Sequence, residues 1–193
     1  MVGGDVAAAA GGGLMKWMLV LSGVFLISIT AYGIYGPESD NTPKILDVCV
    51  THSDEINHYH PWLFIEINGQ SVNLADNIGV TEDCMYPIHT HSSDGKLHIE
   101  IPDSNPMKIR VSDFFEVWGA EFNENQILDY STDENHEIIM TVFPSKEEFN
   151  AGINGTVSTD FENHVFSSVD LNGDGYADGD DTVVLIEYKE KEN

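Results

Sequence analysis

From Trp17 to Tyr35 the chain runs for 19 residues without a charged side chain (WMLVLSGVFLISITAYGIY). As a helix rising about 1.5 Å per residue, this run would be roughly 28 Å long, close to the roughly 30 Å of a bilayer's hydrocarbon core. Trp17, Tyr32 and Tyr35 sit near its ends, where amphipathic rings favour the membrane interface. Lys16 precedes the run, whereas Glu38 and Asp40 follow it. That bias puts the N-terminus in the cytoplasm and the remainder outside. Residues 14–35 are therefore expected to form one transmembrane helix of a single-pass cell-membrane protein with its C-terminal domain outside. The alternative is a signal peptide cleaved near Ala31-Tyr32-Gly33, giving a secreted protein. Residues 1–13 are low-complexity Ala/Gly and are expected to be disordered. Residues 36–45 are polar with two prolines and read as a linker.

Charge follows the same division. Residues 1–35 hold only Asp5 and Lys16, so the net charge of −25 lies entirely on residues 36–193. A surface this acidic repels phosphate and excludes a nucleic-acid binder that works by phosphate neutralisation. It attracts cations and suits a saline exterior. The chain is not thereby disordered: 41% of its residues are hydrophobic and 10% aromatic, enough apolar surface for a core.

Residues 46–193 read as one extracytoplasmic β-rich domain. Trp62–Ile67 (WLFIEI), the turn Asn68-Gly69 and Ser71–Leu74 make a hairpin with a type I′ turn. Lys96–Ile101 (KLHIEI) alternates strictly, placing Leu97, Ile99 and Ile101 on one face and Lys96, His98 and Glu100 on the other. Ser93-Asp94-Gly95 before it is turn chemistry. Ser112–Trp118 reads as a short helix capped by Ser112. Glu137–Phe143 and Thr182–Tyr188 read as further strands. The expected fold is mainly β: a small sheet, β-sandwich-like or β-grasp-like, with one or two short helices, preceded by the transmembrane helix. Cys49 and Cys84 lie in the exported part, where an oxidising compartment favours a disulfide; two separate thiolate metal ligands are the lesser alternative.

The chain has eight histidines, as many as its lysines and arginines together. His58 and His60 form His-Tyr-His, His89 and His91 form His-Thr-His, and His98 follows seven residues on. In extended chain, residues i and i+2 point to the same side. Each pair therefore puts two imidazoles together, and His98 shares a face with Glu100. Side by side, these segments would converge four or five ring nitrogens beside a carboxylate, a donor set that suits transition metals of the copper or zinc class. Alternatively, the rings bond to loop backbone and stack on Tyr59 and Trp62. His136 and His164 stand apart and read as surface residues, and His52 is undecided.

The order His58-Tyr59-His60, LFIEINGQ (63–70), NIGV (77–80), Cys84, PIHTH (87–91), SDGKLHIEI (93–101) and DFFEVWG (113–119) resembles a family of exported, often membrane-anchored bacterial and archaeal domains. The likeness spans about residues 47–188, as that family also tends to close on a strand like DGDDTVVLIEY. It implies an extracytoplasmic β-rich domain whose HxH, HTH and HIE histidines belong together, and it carries no established activity. The family usually has Asp where this chain has Ser92, and Asp94 is the substitute at hand.

Asp170, Asn172, Asp174, Asp178 and Asp181 fall at positions 1, 3, 5, 9 and 12 of a calcium-type loop, with Gly175 at 6 and the Tyr176 carbonyl at 7. Position 12 is Asp rather than Glu, position 8 is Ala177, and a strand rather than a helix follows. The expectation is a single EF-hand-like loop over 170–181 holding a structural Ca²⁺ at about 10⁻⁴–10⁻³ M.

No nucleophile elbow, P-loop, dinucleotide fingerprint or HExxH is present. The leading expectation is a membrane-anchored metal-binding domain with a transition metal at the histidines and Ca²⁺ at the acidic loop. The alternatives are an envelope interaction domain with structural histidines, whose partner is another cell-surface protein, and a metalloenzyme with an open coordination position.

Overall fold

The computed structural model describes residues 44–51, 55–102, 107–166 and 182–191. These lie within one unit of the chain, Thr42–Asn193. The transmembrane or signal segment, most of the linker, His52 and the acidic loop 170–181 lie outside the described residues. Among the described residues, no helix is long and apolar enough to cross a membrane.

Alternation builds the largest sheet. β2 (Trp62–Ile67) buries Leu63, Ile65 and Ile67 and leaves Trp62, Phe64 and Glu66 half-buried. Asn68 (φ 51°) and Gly69 (φ 74°) are both left-handed, as a type I′ turn requires. They return the chain into β3 (Gln70–Val72), shorter than expected. On its other side β2 pairs in parallel with β11 (Val183–Glu190), which also pairs antiparallel with β9 (His136–Phe143). β10 (Thr156–Ser158) closes the far edge, giving the order β10-β9-β11-β2-β3.

A second sheet has the order β1-β5-β4, from β1 (Glu55–Tyr59), β4 (Ile88–His89) and β5 (His98–Pro102). Pro61 hands the chain from this sheet to the first: Leu97 N–H donates to its carbonyl, and Leu63 N–H donates to that of Gly95. A third, small sheet is formed by β6 (Phe122–Asn123), β7 (Gln126–Ile127) and β8 (Tyr130–Ser131). The described fold is thus mainly β with two short helices.

Helix α1 (Val111–Trp118) covers the core with Val111, Phe114 and Phe115. The expected cap at Ser112 is corrected: the helix begins one residue earlier. Arg110 takes the capping position, its N–H donating to the Asp113 carboxylate at 2.6 Å. An acceptor at Asp113 satisfies an amide that the Ser112 hydroxyl, already inside the helix, does not. Helix α2 (Lys146–Ala151) starts at Ser145, whose Oγ accepts from Glu148 N–H. Its Phe149 stacks on Phe64, with ring centres 4.9 Å apart, and covers the outer face of β2.

Cys49 and Cys84 are bonded to each other, which removes the thiolate-ligand alternative. Beside the bridge, Val50 N–H donates to Met85 O, so the start of the domain is tied to the loop that leads into β4.

Candidate metal centre

β5 is the middle strand of its sheet, and this decides where the histidines meet. His58 on β1 lies opposite Glu100, and His89 on β4 lies opposite His98. Cross-strand neighbours on one face sit about 5 Å apart. The pleat thus gathers residues contributed by three strands over β5.

The middle residue of each His-x-His faces away and anchors its segment. Tyr59 is buried, with its hydroxyl donating to Phe166 O at 3.2 Å. Burial without charge compensation holds that phenol far above its ordinary pKa. Thr90 is also buried; its Oγ1 donates to Ala75 O (2.9 Å) and accepts from Ile78 N–H (3.0 Å). With both centres fixed inward, period-two geometry turns all four flanking histidines to the opposite face. Gly79 lets the 77–80 turn lie close behind: its φ is 78°, and a Cβ there would meet Ile88 O and Val117 Cγ1 at 2.8 Å. Replacing Thr90 with Val leaves the Ile78 amide without its acceptor. The expected cost is about 1–3 kcal/mol, read as a lower urea midpoint at unchanged m-value.

All five histidines come together. The His98 ring centre lies 5.9 Å from that of His58, 4.6 Å from His60, 5.5 Å from His89 and 4.4 Å from His91. Donor atoms of His58, His60 and His98 lie within 4.8 Å of one another, as do those of His89, His91 and His98. Nε2 of His89 and Nε2 of His91 are 3.3 Å apart. Two atoms bound about 2.0–2.1 Å from one tetrahedral ion are about 3.3–3.4 Å apart, so this pair already has ligand spacing.

The backbone also orients His89. Its Nδ1 lies 2.9 Å from the Tyr86 carbonyl, which can only accept. Nδ1 therefore carries the proton, and Nε2 presents its lone pair to the cluster, as ligating histidines generally do.

Beneath the rings lies Glu100, fully buried, with Oε1 3.7 Å from His58 Nε2 and 3.8 Å from His89 Nε2. The alternation of KLHIEI put it on the His98 face, but it was not in the expected ligand set. What the sequence lacked was the strand order that makes β5 central. Asp94, by contrast, is a turn former, accepting from Ser92 Oγ (2.9 Å) and Lys96 N–H (3.0 Å). His136 bonds to Asp133 and stacks on Tyr188, and His164 packs against Phe166, neither in the cluster. The proposed calcium ligands Asp170, Asn172, Asp174, Tyr176, Asp178 and Asp181 lie outside the described residues.

Desolvation, reinforced by the four neighbouring imidazoles, lowers the His98 pKa from 6.5 to about 3. His98 is therefore held in the neutral form, the form that binds metal, around neutral pH. The same depression makes stability pH-dependent. Below about 6.5 the unfolded chain takes up a proton that the folded chain refuses, until pH reaches about 3. The metal-free chain should lose stability as pH falls through that window and hold it above. Urea midpoints measured in EDTA test this, and the His98→Asn variant should show a shallower slope over the same range.

No protein-family model matches the chain, and neither does any curated protein or solved structure. Fold and site alone define its class: a mainly β, disulfide-bonded domain whose histidine groups can hold a metal ion.

Proposed function

We propose that this protein is a transition-metal-binding domain in which His58, His60, His89, His91 and His98 supply the ligands. One observation carries the reading: three strands separated in sequence, with the residues His60 and His91 just past two of them, bring together five imidazoles and a buried carboxylate, with one donor pair already at ligand spacing. Imidazole donors without thiolates favour ions of the copper or zinc class. A binding role, rather than catalysis, is the reading for which the ligand set suffices by itself.

The remaining elements rest on sequence. The apolar run 17–35 and the Lys16 bias support an anchor with the domain displayed outside, and the disulfide suits an oxidising compartment. The motif order from His58 to Gly119 supports kinship with exported β domains. The spacing of Asp170, Asn172, Asp174, Tyr176, Asp178 and Asp181 supports a structural Ca²⁺.

Elemental analysis of the purified full chain, after growth with copper and zinc, tests the reading. Stoichiometric transition metal is expected. Asp170→Ala is expected to remove only calcium. A chain that carries no transition metal, and takes up none on titration, returns the histidines to a structural role.

A further inference from the structure

Five imidazoles exceed the four ligands of a tetrahedral ion, and here they form two groups rather than one shell. His58, His60 and His98 make one group; His89, His91 and His98 make the other. Oε1 of Glu100 lies 3.7 Å from Nε2 of His58, in the first group, and 3.8 Å from Nε2 of His89, in the second. One oxygen is thus nearly equidistant from a donor of each. Atoms bound about 2.1 Å from a shared ion are about 3.0–4.2 Å apart as the angle between them opens from about 90° to 180°. Both spacings fall inside that range, so the same oxygen has ligand spacing toward one donor of each group.

We propose that the cluster is a two-ion centre bridged by Glu100. His58 and His60 hold one ion, His89 and His91 hold the other, and His98 completes one of the two shells. This deepens the transition-metal reading and rests on it. The buried position of Glu100 has a charge logic here. Two dications held about 3.5–4 Å apart repel strongly in a partly desolvated site, and an anion between them offsets that repulsion. The shells are unequal, three imidazoles against two, so the ions should bind with unequal affinity. Positions left unfilled by protein would take water or an oxyanion.

The test is titration of the metal-free full chain with Cu²⁺, followed by retained copper after dialysis and by electron paramagnetic resonance. Two equivalents should be retained. The resonance signal should grow with the first equivalent and fall as the second enters, because neighbouring cupric ions couple magnetically. Saturation at one equivalent, or a second equivalent that adds an uncoupled signal, overturns the two-ion centre and leaves the metal-binding reading standing. No retained copper overturns both. In Glu100→Gln, which preserves size, the second ion should bind about tenfold more weakly or worse and the coupling should vanish; an unchanged second ion and coupling overturn the bridge. In the His58→Ala/His60→Ala double variant one equivalent should remain. Should either variant fail to fold, the titration of the unaltered chain decides.

Discussion

Replacing His89 and His91 together with alanine is expected to weaken binding of the ion those two residues hold by about a hundredfold or more. Each contributes an Nε2 to a donor pair 3.3 Å apart. A hundredfold corresponds to about 2.7 kcal/mol, modest for two lost ligand bonds. The single variants separate affinity from folding. His91 is exposed, so His91→Ala should lose affinity while the metal-free chain keeps its melting temperature. His89 is fully buried and bonded to Tyr86 O, so His89→Ala should lose both. Competition titration with a chromophoric chelator, alongside thermal melts in EDTA, reads both effects.

Removing the Cys49–Cys84 bridge should have the largest effect on stability. It closes a loop of 35 residues, for which chain entropy gives about 3–4 kcal/mol, a large share of a small domain's stability. The bridge also stands at the entry to β4. Cys84 neighbours the Val50–Met85 pairing, and His89 follows shortly after. The double Cys→Ser variant, or reduction by dithiothreitol, should therefore lower the urea midpoint and loosen the metal-binding segment at once. An unchanged midpoint would mean that packing alone holds the N-terminal segment in place.

Local pattern was legible where it concerned one strand. The alternation of WLFIEI and KLHIEI gave the faces of β2 and β5, and Asn68-Gly69 gave the turn. Both His-x-His pairs and the disulfide were also readable, because they depend only on period-two geometry and on compartment. Strand order was not. The parallel pairing of β2 with β11 joins residues more than a hundred positions apart, and no local signal announces it. Centrality of β5 depends on that kind of long-range pairing, so Glu100 read as a neighbour of the histidines and not as the carboxylate beneath them. Strands as short as β4, β6, β7 and β8 hold two residues each, too few for any period to show. Helix α2 was missed although Ser145 and Glu148 stand at capping-box spacing, because its exposed, charged sequence carries little apolar periodicity.

X-ray absorption at the zinc edge of the full chain loaded with one equivalent of Zn²⁺ tests the central claim most directly. It reports the ligand atoms themselves and separates the histidine cluster from the acidic surface that carries the net charge of −25. A shell dominated by three or four nitrogen donors at about 2.0–2.1 Å, with the outer-shell scattering of imidazole rings, is the expected result. A shell of oxygen atoms alone would place the ion on the carboxylates and contradict a histidine-ligated centre.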